Sequence, residues 1–164
     1  MVLPSRPYRR SLAGIMSLVH GTCIAIGATA VLLRGAPGSG KSDLALRLLG
    51  RTHLGVQLVA DDQVILTRRS NELWAQAPAR IAGLLEVRGV GVLEMTTLAE
   101  ARVGLILDLC APGAQGAVPR MPEADHCTID GVSLPLYPCV PFEASAPDKV
   151  VLLLRSLNED ILRS

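Results

Sequence analysis

The chain has 164 residues, which is enough for one domain with a core of its own. Its formal net charge is +1, so no strong electrostatic field favours nucleic acid or a membrane surface as a partner. Apolar residues make up 49% of the chain but aromatic residues only 2%, so the core must be aliphatic, which suits a layered fold of strands and helices.

Residues 1–17 are predicted to form a loosely ordered leader. The first ten residues, MVLPSRPYRR, are basic, and no apolar block with a cleavage site follows them. The longest apolar run, 24–33, is too short and too rich in Gly, Ala and Thr to cross a bilayer. We therefore predict a cytoplasmic protein in which residues 18–164 form a single domain.

The first predicted elements are two apolar strands at 18–28 and 29–34, with Gly27 between them. A helix is predicted over 41–50, because leucines recur there at spacings of three and four. Residues 56–69, VQLVADDQVILTRR, are typical of a strand, a polar break and a second strand.

The middle of the chain is predicted to be mostly extended. Residues 71–76 would form the return arm of a hairpin, and 84–95, LLEVRGVGVLEM, would be an extended segment interrupted by glycines. The run 102–110 is apolar apart from Arg102 and Asp108, which is typical of a strand buried on both faces. The Pro- and Gly-rich residues 111–127 are predicted to be mobile.

The end of the chain is predicted to hold a hairpin and a helix. Asp130 and Gly131 would form the hairpin turn. The helix would cover 145–162, with Ser145 as its N-cap and Pro147 in its first turn. Strands and helices in this order indicate an α/β fold with a mixed sheet.

The four cysteines show no CxxC pair or metal-ligand spacing and are interpreted as buried or incidental thiols: Cys23, Cys110, Cys127 and Cys139.

A phosphate-binding loop follows the second strand. The segment GAPGSGKS fits G-x-x-x-x-G-K-[ST] at every position: Gly35, Ala36, Pro37, Gly38, Ser39, Gly40, Lys41 and Ser42. Glycines let backbone N–H groups approach phosphate oxygens, and the following helix adds the positive end of its dipole. Lys41 would neutralise the β and γ oxygens, and Ser42 would offer a hydroxyl to Mg²⁺. The motif therefore predicts binding of a nucleoside triphosphate or a similar polyphosphate.

The class of phosphate-loop protein can be narrowed. A GTPase needs a guanine-reading N-K-x-D segment, and APDK at 146–149 has those letters in the wrong order. A motor needs a much longer chain. Kinases therefore remain the best class.

Two apolar strands end in carboxylate side chains. In phosphate-binding sites, the carboxylate beside the metal usually follows such a strand. LVADD ends in Asp61 and Asp62, and LILD ends in Asp108. Adjacent carboxylates on an extended segment point to opposite faces, so one can face the γ-phosphate and the other water or the metal's hydration shell. A simple turn at Asp61 and Asp62 is the alternative.

Glu86 and Arg88 lie two residues apart, hence on one face of an extended segment. They would be either a surface ion pair, or a metal-binding carboxylate and a phosphate-facing guanidinium at the edge of the site.

Together these motifs resemble a known family. His20-Gly21, GAPGSGKS, LVADD and LLEVRGVG occur in the order and approximate spacing of the catalytic domain of HPr kinase/phosphorylase. The resemblance covers residues 18–110 and implies a P-loop domain with a mixed sheet, related to phosphoenolpyruvate carboxykinase. It implies that ATP and Mg²⁺ are used to phosphorylate a serine of HPr, a small carrier protein of the sugar phosphotransferase system.

The resemblance also implies roles for individual residues. His20 matches the family's active-site histidine, Lys41 the P-loop lysine, and Ser42 and Glu86 the magnesium ligands. Asp61 matches the acid that takes the proton from the acceptor serine. The segment 86–95 matches a stretch that serves catalysis and partner docking, and Asp108 would then belong to a core strand.

The chain also departs from the family. It is expected to be a short form without the family's N-terminal domain. A P-V-R-P-G-R-N-like segment serves dephosphorylation in the family, whereas residues 134–149 here contain no arginine, which puts the reverse reaction in doubt. Arg120 is the candidate for the family's catalytic arginine. A homo-oligomer, such as the hexamer of family members, is expected.

Two other functions remain as alternatives to an HPr kinase. One is a kinase of a small metabolite, and the other is a nucleotide-binding regulator without catalysis.

Overall fold

A computed structural model describes residues 15–110, 113 and 118–163 of the chain. Its strands are β1 Met16–His20, β2 Thr22–Ile26, β3 Thr29–Arg34, β4 Val56–Ala60, β5 Gln63–Arg69, β6 Glu72–Gln76, β7 Leu84–Val87, β8 Gly91–Glu94, β9 Ala101–Leu109, β10 Asp125–Ile129 and β11 Val132–Cys139. Its helices are α1 Lys41–Leu49 and α2 Ala146–Arg163, with short 3-10 turns at Thr52–Leu54 and Ala79–Ile81. Within the described residues, no helix is both long and apolar enough to span a membrane.

One mixed sheet of nine strands organises the molecule. Its main order is β1-β5-β6-β9-β3-β2-β4, with β11 beside the end of β9 and β10 beside β11, while β7 and β8 form a separate hairpin. The strands β3, β9 and β11 run parallel, and Arg34 lies opposite Asp108 in the register of β3 and β9. The carboxyl ends of these three strands therefore meet at one edge of the sheet, which is where ligands bind in α/β folds.

The sheet is buried on both faces. Alternate residues of β2 and β3 face two different cores: Cys23 and Leu32 belong to one cluster, and Ile24 and Leu33 to the other. The second cluster includes the apolar faces of both helices, such as Leu44 of α1. Since both faces need apolar side chains, these central strands are apolar throughout rather than alternating.

Most elements predicted from the sequence are confirmed. They include the helix after the phosphate loop, the break between β4 and β5, the hairpin of β5 and β6, the buried strand β9, the β10–β11 hairpin, and the C-terminal helix. The α/β fold with a mixed sheet is confirmed as well. The extended segment 84–95 is folded back into the β7–β8 hairpin.

The prediction of one strand over 18–28 is wrong. The chain breaks at Gly21, where β1 leaves the side of β5 and β2 continues between β3 and β4. The Gly21 N–H donates a hydrogen bond to the carbonyl oxygen of Asp62 (3.1 Å), and a Cβ at Gly21 would lie 2.8 Å from the carbonyl oxygen of Leu33. Only glycine fits this crossing without a shift of the backbone.

Two predicted segments are described only in part. Residues 1–14 of the predicted leader lie outside the described residues, while Met16 and Ser17 already belong to β1. Of the segment predicted to be mobile, residues 111–112 and 114–117 lie outside the described residues, and β10 begins within it at Asp125.

Candidate active site

The phosphate loop connects β3 to α1 at the edge where the parallel strands end. Gly38 and Gly40 have φ angles of 79° and 101°, a left-handed conformation that residues with a Cβ rarely adopt. The first backbone hydrogen bond of α1 runs from the N–H of Leu44 to the carbonyl oxygen of Gly40 (2.9 Å). The free N–H groups at the start of α1 therefore open onto the loop, as anion binding requires.

Lys41 is buried under this loop, with 8% of its surface exposed. Its ammonium donates hydrogen bonds to the carbonyl oxygens of Gly35 (2.7 Å) and Ala36 (3.0 Å). Burial lowers the pKa of Lys41, and the negative charges of Asp61 and Asp62 partly oppose that shift. A buried cation with only neutral hydrogen-bond acceptors gains from an anionic partner such as a phosphate.

Asp61, 7% exposed, ties three elements of the site together. One carboxylate oxygen, Oδ1, accepts hydrogen bonds from the hydroxyl groups of Thr22 (2.8 Å) and Ser42 (3.1 Å). The other, Oδ2, accepts a bond from the backbone N–H of Glu86 (3.2 Å). The carboxylate thereby fixes β2, the start of α1 and β7 relative to one another.

Asp62, the next residue, is exposed to solvent rather than buried. Its side chain is 69% exposed, and its Oδ1 lies 3.4 Å from Nδ1 of His20, whose side chain is 48% exposed. The backbone of Asp62 has a φ of 67°, so a tight turn separates the two carboxylates. His20 and Asp62 thus form an open pair at the rim of the site.

A cavity of about 330 Å³ adjoins the phosphate loop. Its lining comes from the loop, α1, the β7–β8 turn and the segment before α2: Gly38, Gly40, Lys41, Ser42, Asp43, Leu46, Glu86, Val87, Arg88 and Phe142. Glu86 and Arg88 therefore both face the loop. Among the described ion pairs none joins Glu86 to Arg88, and the metal-binding role of Glu86 stays a prediction.

The donors around Ser42 fit a magnesium ion. Mg²⁺ prefers oxygen ligands and is usually held by one or two carboxylates together with substrate phosphates and water. Ser42 and Glu86 offer such oxygens on the lining of one cavity, and Asp61 holds the Ser42 hydroxyl in place. No group of three or more His, Cys, Asp or Glu side chains that could hold a metal occurs in the described part of the chain.

Asp108 and Arg120 do not line the cavity at the phosphate loop. Asp108, at the end of β9, forms a two-point ion pair with Arg34, with Nε–Oδ1 and Nη2–Oδ2 distances of 2.8 and 2.9 Å. These hydrogen bonds raise the pKa of Arg34. Arg120 lines a different cavity of about 350 Å³, together with Cys139 and Lys149. Neither residue is among the described residues that line the cavity at the phosphate loop.

Two residues of the site were missed in the sequence analysis. Thr22 is fully buried and holds Asp61, and the signal for it was a polar residue within an otherwise apolar strand. Phe142 lines the cavity, and the signal for it was that it is the only phenylalanine of the chain.

Comparisons with known proteins agree with the motifs. A family model described as HPr Serine kinase C-terminal domain matches residues 11–135, which is more than half of the chain. The chain belongs to this family. The HPr kinase/phosphorylase of Bordetella avium (strain 197N) is 34% identical over 153 residues, which cover 88% of this chain and 48% of the relative. That of Geobacillus thermodenitrificans (strain NG80-2) is 37% identical over 110 residues, which cover 62% of this chain and 35% of the relative. The chain spans about half the length of the first of these relatives and about a third of the second.

A solved structure shares the fold of this HPr serine kinase C-terminal domain. It is the Hpr(Ser) kinase/phosphatase from Coxiella burnetii, with a TM-score of 0.74 and 24% sequence identity. The alignment covers 88% of this chain and 92% of that chain. The expected P-loop α/β fold of the family is thereby confirmed.

Proposed function

We propose that this chain transfers the γ-phosphate of ATP to a serine of an HPr-type carrier protein. The observation that carries the proposal is the hydrogen bond of Ser42 to Asp61, whose other oxygen binds the N–H of Glu86. It joins the phosphate loop to the segment that distinguishes this family from other P-loop proteins. Membership of the HPr serine kinase C-terminal domain family supports the same conclusion.

The roles of the nucleotide-binding residues follow from their positions. The N–H groups of the loop and the ammonium of Lys41 would bind the β- and γ-phosphates and orient the γ-phosphorus for attack. Ser42 and Glu86 would hold the Mg²⁺ that accompanies ATP, and the ion would neutralise charge on the phosphate oxygens. Asp61 would keep the Ser42 hydroxyl and the backbone of Glu86 aligned.

The acceptor of the serine proton is the second question about the mechanism. The sequence predicts Asp61 for this role, and that assignment stays a prediction. We propose Asp62 instead, because Asp61 is almost fully buried and already accepts three hydrogen bonds, whereas Asp62 is open to an approaching protein. His20, 3.4 Å away, would steady the Asp62 carboxylate and the charge that develops during transfer.

The forward, kinase direction is proposed as the main activity. Residues 134–149 contain no arginine where the family's phosphorylase segment is expected. Arg88 is the guanidinium on the lining of the loop cavity and is proposed to face the phosphates. We further propose a cytoplasmic protein that forms homo-oligomers and has no nucleic-acid or membrane partner.

Phosphorylation of purified carrier proteins tests this function. The chain would be incubated with labelled ATP, Mg²⁺ and candidate HPr proteins, and the modified residue mapped by mass spectrometry. We expect label on one serine of a carrier and at least a hundredfold slower transfer by Lys41→Ala, which removes the cation beside the phosphates. Label on a small metabolite alone would instead identify a metabolite kinase. ATP binding without transfer to any acceptor would identify a regulator.

A further inference from the structure

Phe142 is exposed beside the phosphate loop. It is the only phenylalanine of the chain, and 53% of its surface is exposed. Its ring lies directly against the loop, because a Cβ at Gly40 would come within 2.8 Å of the ring carbon Cζ. An aromatic ring placed here, half open to a cavity rather than buried in a core, is available to a ligand.

Arg47 of α1 holds this ring in place. Its guanidinium donates hydrogen bonds to the carbonyl oxygens of Pro141 and Glu143, the residues on either side of Phe142, with 3.2 Å to Glu143. Its Nε also donates to Asp43 (3.0 Å) on the first turn of α1. The ring is therefore positioned by the same helix that begins at the phosphate loop. Such pre-organisation reduces the entropy that binding would otherwise cost.

The cavity leads from the loop to the ring. Lys41 and Ser42 line its phosphate end, whereas Leu46, Val87 and Phe142 are its apolar side chains. A volume of about 330 Å³ lies within the range of small-molecule sites. A triphosphate bound at the start of α1 leaves its nucleoside to occupy the rest of this cavity. The apolar side chains at this end suit a base rather than a phosphate.

We propose that Phe142 is the stacking platform for the base of the bound nucleoside triphosphate, with Arg47 as its positioning residue. A nucleobase presents a π-face that stacks on an aromatic ring whatever its edge groups are. The platform comes from the segment in which this chain departs from the family's arginine-containing pattern. The inference rests on the nucleotide-binding part of the proposed function and not on the serine acceptor.

Calorimetric titration with ATP and with inorganic tripolyphosphate, both with Mg²⁺, tests the platform, since tripolyphosphate has no base. Phe142→Ala should weaken ATP binding about 5- to 150-fold, the loss expected for one stacked base. Tripolyphosphate binding should change by less than about twofold. Phe142→Trp should retain ATP affinity. The control is Leu152→Ala, which removes an exposed apolar side chain from α2 and should change neither titration.

Three outcomes would overturn the platform: ATP binding unchanged in Phe142→Ala, an equal loss for ATP and tripolyphosphate, or a loss in Phe142→Trp as large as in Phe142→Ala. The equal loss would mean that Phe142 only shapes the loop around Gly40. If no carrier protein accepts phosphate but Phe142→Ala still loses ATP affinity selectively, the proposed function fails and the platform stands.

A double-mutant cycle with Phe142 tests whether Arg47 acts through the ring. Arg47→Ala should weaken ATP binding in the wild-type background and have no further effect in the Phe142→Ala background, because it acts through the ring. Additive losses in the double variant would show that Arg47 does not act through Phe142.

Discussion

Asp61 and Asp62 are neighbours with the same side chain, yet they occupy different chemical environments. The turn between β4 and β5 separates them, with Asp62 at a positive φ and the N–H of Gln63 bonded to the carbonyl oxygen of Asp61 (2.8 Å). One carboxylate is thereby directed into the site, where hydroxyl donors hold it, and the other toward solvent beside His20. At this scale, one residue of backbone separates the buried carboxylate from the exposed one, for which we propose the reacting role.

Asparagine substitutions distinguish these two carboxylates. Asp62→Asn cannot accept the serine proton, so transfer should fall by roughly 10²–10⁴-fold while ATP affinity changes little. Asp61→Asn should instead raise the Mg²⁺ concentration needed and lower stability, because an amide cannot accept from all three donors. Asp108→Asn is the control and should affect transfer least. Steady-state transfer at several Mg²⁺ concentrations measures both effects.

The opposite pattern would support the assignment made from the sequence. If Asp61→Asn abolishes transfer at saturating Mg²⁺ while Asp62→Asn remains active, the proton goes to Asp61. A dead Asp108→Asn variant with both others active would remove the LVADD segment from the mechanism.

Glu86→Gln tests the second metal ligand. The amide preserves the shape of the side chain but removes its charge, so half-maximal activity should need more Mg²⁺ while the fold survives. Glu94→Gln on the exposed strand β8 is the matched control and should leave the Mg²⁺ titration unchanged. An unchanged titration for Glu86→Gln as well would rule out direct coordination.

At the scale of elements, local patterns were predictable and long-range partners were not. The phosphate loop follows from eight contiguous residues, α1 from the spacing of its leucines, and the β10–β11 turn from Asp130 and Gly131. The break at Gly21 could not be read from an apolar run, because it depends on contacts with Asp62 and Leu33. The bond between Thr22 and Asp61 spans 39 residues and exists only after the sheet is assembled.

The close packing of β3 against β9 predicts the cost of enlarging Gly104. A Cβ there would lie 2.4 Å from Cγ2 of Thr29 and 3.9 Å from Cδ1 of Leu154 on α2. Gly104→Ala should therefore lower the free energy of unfolding by about 1–3 kcal/mol, measured by urea denaturation. Thr29→Ser removes the clashing methyl and keeps the hydroxyl that accepts from Arg102. The double variant should recover most of the loss, and no recovery would exclude this clash as the cause.

At the scale of the whole molecule, the sheet separates two apolar clusters, and the thiol of Cys23 lies inside one while that of Cys139 packs against the other. Cys23 is fully buried in one cluster, and burial raises its pKa from 9.0 to about 12. Burial likewise raises the pKa of Cys139 to about 11. In both cases the folded protein retains the thiol proton where the unfolded chain has lost it.

Stability should accordingly decline in alkaline solution. Below about pH 9 the thiols are neutral in both states, and above it only the unfolded chain ionises, so each buried thiol lowers the free energy of unfolding by about 1.4 kcal/mol per pH unit. For Cys23 the decline continues up to a pH of about 12. Urea denaturation between pH 8 and about 10.5 measures the slope.

Cys23→Ala should be less stable at pH 7, through lost packing, but have a slope flatter by about that amount. Val103→Ala removes an apolar side chain from the same cluster and no titratable group, so it should keep the wild-type slope. An identical slope in Cys23→Ala would mean that other groups govern the alkaline decline.

The edge position of β1 has a consequence for fluctuation of the site. β1 pairs with β5 on one side, and no other described strand pairs with it, whereas β3 has neighbours on both sides. His20 ends β1, while Lys41 and Ser42 follow β3. Opening of the edge strand would carry the histidine away from Asp62 and leave the phosphate loop intact, so amide hydrogens of β1 should exchange with solvent faster than those of β3. Under the proposed function, opening of β1 would remove His20 from the site and stop transfer, whereas the phosphate loop behind β3 would still bind the nucleotide.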